Sequence, residues 1–313
     1  MRESRLIKKI MIMLIILILV TTGCTGKPDD SLEISLKDMQ PVDNEKRLNS
    51  PNTLRVAFSS ITSPKETMIY YNDLIKYIEK NSGLTVKVIQ RKTYKEVNDL
   101  IEAGEVDLAF ICTYAYILGT EEFGLQPFLV PQKNSKTTYQ SYIIVPKDST
   151  VGTFEGLKNR RFAFTDPLSN TGYLYPRYLL EQENETPDTF FKKSIFTYSH
   201  DNSIKAVYDK IVDGAAVDSL VYDYLIEQKP EFADKIRIIN KSEEFGIPPI
   251  VVSSGVSSET RLKLKDLFLD MHNSLEGKTI LHHLKIERFR EQEDANYDSV
   301  RKIAAEVLNE QSD

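Results

Sequence analysis

Apolar residues along the chain keep two rhythms that alternate. Short, nearly uninterrupted apolar runs read as buried strands: LRVAF from Leu54, LTVKVIQ from Leu84 and VDLAFI from Val106. Between them lie stretches with helical spacing. In KETMIYYNDLIKYIEKNSG, residues Ile69, Leu74, Ile75 and Ile78 suggest one apolar face, with Gly83 at the stop. YKEVNDLIEAG and YAYILG repeat that helical character. Strands alternating with helices predict a mostly parallel sheet covered by helices.

The pattern breaks at YQSYIIVPKDS (Tyr139 to Ser149), which reads as a long strand leaving one sheet, and then restarts. RFAFT, SIFTY, AAVDSL and IRIIN follow with helices between them, PPIVVSSGV returns to strand from Pro248, and the last 55 or so residues read as helical. This is the order of two α/β lobes joined by two crossings, expected near Val145–Ser149 and Asn240–Pro248. The expected division is residues 53–145 plus 248–313 for lobe 1 and 146–247 for lobe 2. Ligands of such open sheets sit beyond the carboxyl ends of the strands, here in a cleft between the lobes.

The amino-terminal stretch follows neither rhythm. MRESRLIKK is basic, and the run from Ile10 to Val20 holds 11 apolar residues. That is short for a membrane span of roughly 20 residues and suited to a secretory signal. TTGC places small residues before Cys24, as in the lipobox of bacterial lipoproteins, although Thr21 stands where leucine is usual. Residues 1–23 are therefore expected to be a signal peptide, Cys24 the lipidated residue, and the polar 24–52 segment a tether between membrane and domain.

Charge and cysteine count narrow the function. Removing residues 1–23 takes away four basic residues and one acidic one, leaving 36 Lys+Arg against 45 Asp+Glu, a formal charge of -9. Such a chain is a poor match for nucleic acid, which calls for clustered cations, so a bound anion must be held by local dipoles. With Cys24 lipidated, Cys112 is the one remaining thiol, which excludes disulfide frameworks and cysteine-based zinc sites. His282 and His283 are adjacent, and His272 stands alone, so no metal site or other cofactor is expected. GxSxG, HExxH, P-loop and dinucleotide fingerprints are missing from the sequence. A binding protein is expected, not an enzyme, even though Ser169, His200 and Asp218 resemble a triad in composition.

The candidate chemistry lies in DPLSNTGYLYPRYLLEQ, from Asp166. A strand leads into it and an amphipathic helix leads out. Ser169, Asn170, Thr171 and Gly172 then occupy a helix entrance, where unpaired N–H groups and the positive end of the dipole favour an anion. Capping by Ser169 or Thr171 would explain the same residues without a ligand.

DPLSNTGY resembles the DPxSxSGY-type stretch of the PhnD-like phosphate, phosphite and phosphonate binding proteins of ABC transporters. Other segments resemble this family in the same order: VDLAFICTYAYILG its VDIAWxGPxxY, TYQSYIIVPKDS its YxSxIIVxKDS, YSHDNSIKAVYDKIVDGAAVDS its SHxxSxxAVxxGxVDAAAVDS, and DANYDSVRKI its DxxYxxVRxI. Together they run from Leu54 to Ile303. The resemblance implies a type II periplasmic-binding-protein fold with two lobes. It implies an oxyanion (phosphate, phosphite or a simple alkylphosphonate) cradled by Ser169, Asn170 and Thr171, and captured by hinge closure. His200 falls where the family has a ligand-facing histidine, Tyr94 and Tyr139 match its phenolic donors, and Tyr116 ends the GPxxY-like segment. Asp218, at a strand end, would accept a hydrogen bond from a protonated ligand oxygen, or else merely cap a helix.

The chain departs from the family at two places. Leu220 and Pro248 stand where aminophosphonate binders carry acidic residues, which disfavours a ligand ammonium. Cys112 replaces a glycine in the loop before Tyr116. A thiolate there would suit arsenite, while a buried apolar role needs no ligand. The implied partner is an ABC permease or, alternatively, a sensor kinase. The expected setting is a monomer held by its lipid on the extracytoplasmic face of the cell membrane.

Overall fold

A computed structural model describes residues 52–309; the expected signal peptide, Cys24 and nearly all of the tether lie outside them. The first lobe is organised by a six-stranded sheet. In chain order its strands are β1 (Thr53–Phe58), β2 (Thr85–Gln90), β3 (Leu108–Phe110), β4 (Pro127–Gln132), β12 (Ile250–Val252) and β13 (Arg288–Arg290). Across the sheet the order is β13-β4-β12-β3-β1-β2, with β2, β1 and β3 parallel and the remaining pairs antiparallel. Helices α1 (Pro64–Ser82), α2 (Tyr94–Glu102) and α3 (Thr113–Phe123) make the crossovers. Thr93 and Glu96 form a capping box that fixes the start of α2.

The second lobe holds a five-stranded sheet of β6 (Ser141–Pro146), β7 (Arg161–Phe164), β8 (Lys193–Phe196), β9 (Gly214–Asp218) and β10 (Ile236–Lys241), in the order β10-β6-β9-β7-β8. Its helices include α4 (Tyr175–Gln182), the single turn α5 (Pro187–Phe190), α6 (His200–Tyr208) and α7 (Ser219–Gln228). Phe162, fully buried, stacks on Phe191 at 4.4 Å between ring centroids.

Between the sheets runs a two-stranded ribbon, β5 (Thr138–Tyr139) with β11 (Phe245–Gly246), antiparallel and paired Tyr139 to Phe245. The chain makes its first crossing here, earlier than the expected Val145–Ser149. The whole apolar run Ser141–Pro146 is buried and hydrogen-bonded to β9 and β10, so it belongs to the second sheet. Only two strand residues precede that run, because Gln140 separates β5 from β6.

The carboxyl-terminal segment also departs from the expected division. After α8 (Ser258–Asp270), α9 (Leu275–His283) and β13, helix α10 (Asp298–Asn309) packs on α4 of the second lobe. Val300, Ile303, Ala304 and Val307 join the same core as Leu174, Tyr175 and Leu180. Residues 248–313 therefore do not all pack within lobe 1.

Three local readings change as well. Ile69 is 60 % exposed, whereas Leu74, Ile75 and Ile78 are buried. At about 100° per residue, the nine positions from Ile69 to Ile78 place it half a turn out of phase. β4 was unmarked because Pro127 and Pro131 interrupt its apolar run, and β13, three residues long, falls in a stretch that reads as helical.

Replacing Phe162 by alanine removes a stacked ring from this lobe's core. It should lower unfolding stability by about 3–5 kcal/mol, seen as a reduced midpoint in urea at unchanged slope. A loss within experimental error would contradict the packing described.

Candidate functional site

Strand β7 delivers the chain to Thr165 and Asp166, and the backbone then turns into a widened helical turn, Asn170–Leu174, continuous with α4. The amide of Leu174 donates to the carbonyl of Ser169, the wider closure of a π-type turn. Ser169 caps this start, its Oγ accepting from the amide of Gly172 at 3.0 Å. Capping leaves the Ser169 hydroxyl proton free to donate, so the capping and anion-holding readings are compatible.

Gly172 is dictated by crowding. A Cβ there would come within 2.5 Å of Thr165 Cβ and 3.0 Å of Ser169 Oγ. The carbonyl of Gly172 accepts from the amide of Thr165 at 3.1 Å, and the carbonyl of Thr171 accepts from Ser141 Oγ at 2.6 Å. The turn is thereby locked against the sheet of its own lobe. Ser169, Asn170 and Thr171 are fully buried, yet Thr171 Oγ1 and Asn170 Oδ1 have no partner among the described residues. A buried polar group left without a partner costs about 1–3 kcal/mol, and two such atoms lie on this one turn.

The first lobe closes over the turn. Tyr94, the first residue of α2, is buried, and its hydroxyl likewise has no partner among the described residues. Its amide donates to Asp166 Oδ2 at 3.1 Å across the two lobes. From the ribbon, the Tyr139 hydroxyl accepts from Asn170 Nδ2 at 3.1 Å. Two further bonds join the lobes beside the turn: Ser63 N–H to Asp201 Oδ1 at 2.8 Å, and His200 N–H to the carbonyl of Ile61 at 3.0 Å.

His200 opens α6 and is buried. Its Nδ1 accepts from the amide of Asp218 at 3.0 Å, which makes the neutral ring protonated at Nε2. Nε2 lies 3.5 Å from Ser169 Oγ, so the imidazole aims an N–H at the turn. Burial pushes its pKa down to about 3. It therefore donates as a neutral group, although a bound anion would raise this value.

Asp218 ends β9 and caps α7, with Oδ1 accepting from the amide of Leu220 at 2.6 Å. Burial raises its carboxyl to about 7, against the amides that lower it. Near neutrality it is protonated about as often as not, and can face either a ligand oxygen or a ligand O–H. The carboxyl does not orient His200, whose Nδ1 is occupied by the Asp218 main chain. Ser169, His200 and Asp218 are thus neighbours without the relay geometry of a hydrolase.

Two other candidates are placed differently. Tyr116 is buried in the core, its ring tilted against Tyr297 at 4.8 Å between centroids, with its hydroxyl donating to Asp294 at 2.5 Å. It sits one helical turn beyond Thr113 and faces the carboxyl-terminal segment, so it does not join the other donors. Cys112 does reach the site: it precedes α3 and packs with Tyr94, Leu168 and Ile61. Burial pushes its thiol up to about 11, against the nearby amides of Asn170 and Tyr114, which act to lower it. A buried, protonated thiol fits the apolar role of Cys112 beside Tyr94 and Ala115.

Asp166 escaped the sequence reading as a functional residue. Its carboxylate accepts from Leu168 N–H at 2.8 Å as well as from Tyr94 N–H, so it shapes the loop and joins the lobes. The only signal was its place in DPLSNTGY. Thr165 was likewise missed; its Oγ1 lies 3.2 Å from His200 Nδ1.

Two outcomes test this geometry. Gly172→Ala should destabilise the protein by about 1–3 kcal/mol, the cost of overpacking a closed site, measured by urea unfolding. The pair His200 and Asp218 should oppose each other with pH. Stability contributed by His200 is full above its ordinary 6.5 and is lost as pH falls towards 3. That of Asp218 is full below its ordinary 3.8 and is lost as pH rises through 7. Relative to wild type, Asp218→Asn should therefore gain stability as pH rises from 4 to 7, and His200→Gln should lose it, each by up to about 1.4 kcal/mol per pH unit. Curves parallel to wild type would contradict these assignments.

Known proteins share this architecture. Residues 56–297 match the family described as "ABC transporter, phosphonate, periplasmic substrate-binding protein". The chain is 27 % identical over 231 residues to the "Phosphate-import protein PhnD" of Mycolicibacterium smegmatis, covering 70 % of this chain and 71 % of that one. It is 25 % identical over 279 residues to the "Phosphonates-binding periplasmic protein" of Escherichia coli, covering 88 % and 80 %. Among solved structures, a binding protein component of a phosphonate ABC transporter from Pseudomonas aeruginosa superposes with a TM-score of 0.77 at 24 % identity, over 82 % of this chain and 86 % of that one. PhnD1 of Prochlorococcus marinus, solved with methylphosphonate, superposes at 0.74 with 21 % identity, over 83 % and 99 %. The fold is that of the type II periplasmic binding proteins, and the chain belongs to the family of extracytoplasmic substrate-binding proteins that serve phosphonate ABC transporters.

Proposed function

We propose that this protein captures a small phosphorus oxyanion (phosphate, phosphite or an alkylphosphonate) between its lobes and presents the closed form to an ABC permease. One observation carries the reading. Within one buried turn and the helix facing it, Thr171 Oγ1, Asn170 Oδ1 and Tyr94 OH are polar atoms with no partner among the described residues, beside the free hydroxyl of Ser169 and the N–H of His200. The hydroxyls of Ser169, Thr171 and Tyr94 would donate to the oxyanion, and Asn170 Oδ1, which can only accept, would take a hydrogen bond from a ligand O–H. The protonated carboxyl of Asp218, or its ionised form opposite a ligand O–H, would select among protonation states.

Capture would proceed by hinge motion at the β5–β11 ribbon. Ligand bonds from both lobes stabilise the closed state in which Tyr94 meets Asp166 and Ser63 meets Asp201. In this reading the protein acts as a monomer, tethered outside the membrane through a lipid on Cys24, after removal of residues 1–23. Among the described residues no helix is long and apolar enough to cross a membrane.

Thermal unfolding of the purified full chain tests the proposal. Phosphate, phosphite or methylphosphonate at 100 times its dissociation constant should add about 2.7 kcal/mol and raise the midpoint by several degrees, less sulfate and arsenite controls. Thr171→Ala should abolish most of the shift. A shift with none of the phosphorus oxyanions, or an undiminished one in Thr171→Ala, would overturn it.

A further inference from the structure

The end of α9 carries a side chain that its backbone disfavours. The amide of Ile286 donates to the carbonyl of Leu281 and that of Lys285 to the carbonyl of His282, both at 3.1 Å. Such a pair of bonds closes a helix through one left-handed residue, which is usually glycine. Here that residue is Lys285, at φ 54°, and a lysine in this region is under strain that glycine would escape. Its side chain spans the two lobes, with Nζ 2.6 Å from Glu227 Oε1 on α7.

The turn is fixed for that reach. Tyr70, on α1, donates its hydroxyl to the carbonyl of Leu284, the residue before Lys285. The Tyr70 ring also meets Tyr224 of α7 edge-on, at 4.9 Å between centroids. Tyr224 and Glu227 are three residues apart and share one face of α7. The first lobe therefore grips that face at two points, a ring and an ion pair. The Lys285 ammonium holds the Glu227 carboxyl below its ordinary range. Two longer ion pairs flank the grip and also join the lobes, Lys229 to Glu66 at 3.7 Å and Lys133 to Asp223 at 4.0 Å.

The grip stands apart from the oxyanion turn. Glu227 is nine residues beyond Asp218, roughly 13 Å further along α7. These contacts exist only while the lobes are together, so they favour the closed form without touching a ligand. A ligand that needs the closed form binds in proportion to the fraction closed.

We propose that Lys285 is a latch: its strained backbone is kept because the side chain it carries grips α7, and that grip sets the closed fraction and hence the affinity. The inference rests on the oxyanion reading for its ligand and names how that site is regulated.

Lys285→Gly separates a latch from a residue needed for folding, because the two roles predict opposite signs. The full chain is followed by urea unfolding, by isothermal titration with methylphosphonate, and by X-ray scattering without ligand. Lys285→Gly should keep or raise the urea midpoint, weaken methylphosphonate about two- to fivefold, the range of one exposed ion pair, and enlarge the radius of gyration. Glu227→Lys should weaken binding at least as much, and adding Lys285→Glu to it should restore most of the loss. A lowered midpoint in Lys285→Gly, wild-type affinity in either single variant, or no recovery in the double reversal would overturn the latch. If the wild type does not bind methylphosphonate, the oxyanion reading falls and scattering decides the latch, which an unchanged radius in both single variants would overturn.

Discussion

Gly172 is pressed so closely against Thr165 that no side chain fits between them, and the rest of the site hangs on that contact. The main-chain bond from Thr165 to Gly172 fixes the widened turn on the end of β7. Ser169 can then cap the turn, and Asn170 and Thr171 project towards the opposite lobe. Thr165 Oγ1 also approaches His200 Nδ1, so one crowded point positions both the helix entrance and the imidazole.

In the proposed reading the second lobe builds most of the anion-holding surface, and the first supplies its cover. Tyr94 arrives at the amino terminus of α2 with a free hydroxyl, and its amide engages Asp166 across the cleft. Tyr139 belongs to the hinge ribbon itself and touches Asn170. In the proposed reading a ligand at the turn is therefore coupled directly to the ribbon about which the lobes would close. Helix α10 braces the outer side of the same turn through Val300, Ile303 and Val307, so the carboxyl terminus supports the site without facing it. His200 and Asp218 are both buried and both neutral over part of the pH range. An acidic chain can thus hold an anion with dipoles and neutral donors rather than with a net positive field.

The fold was legible where periodicity and burial coincide. β1, β2, β3, β7, β9 and β10 follow apolar runs in the sequence, and α2 follows the helical stretch YKEVNDLIEAG. It was illegible where a long-range partner decides. Ser141–Pro146 looks the same whether it pairs with the first sheet or the second, and only β9 and β10 settle the choice. The packing of α10 on α4 joins segments more than a hundred residues apart. At the site, motif order pointed to Ser169, Asn170, Thr171, His200, Tyr94, Tyr139 and Asp218, which the structure gathers around one turn. Tyr116 shares the motif but faces Asp294, because its helical phase turns it away from the cleft. The bridging role of Asp166 could not be read from its neighbours, since its partner Tyr94 is 72 residues away.

The central claim is that the buried turn at Ser169–Thr171 receives a phosphorus oxyanion from the cleft. A crystal structure of the protein with methylphosphonate addresses it most directly. The account predicts phosphonate oxygens within hydrogen-bonding distance of Thr171 Oγ1, the Tyr94 hydroxyl and His200 Nε2. Methylphosphonate bound elsewhere, with those three groups beyond hydrogen-bonding distance of all its oxygens, would contradict it.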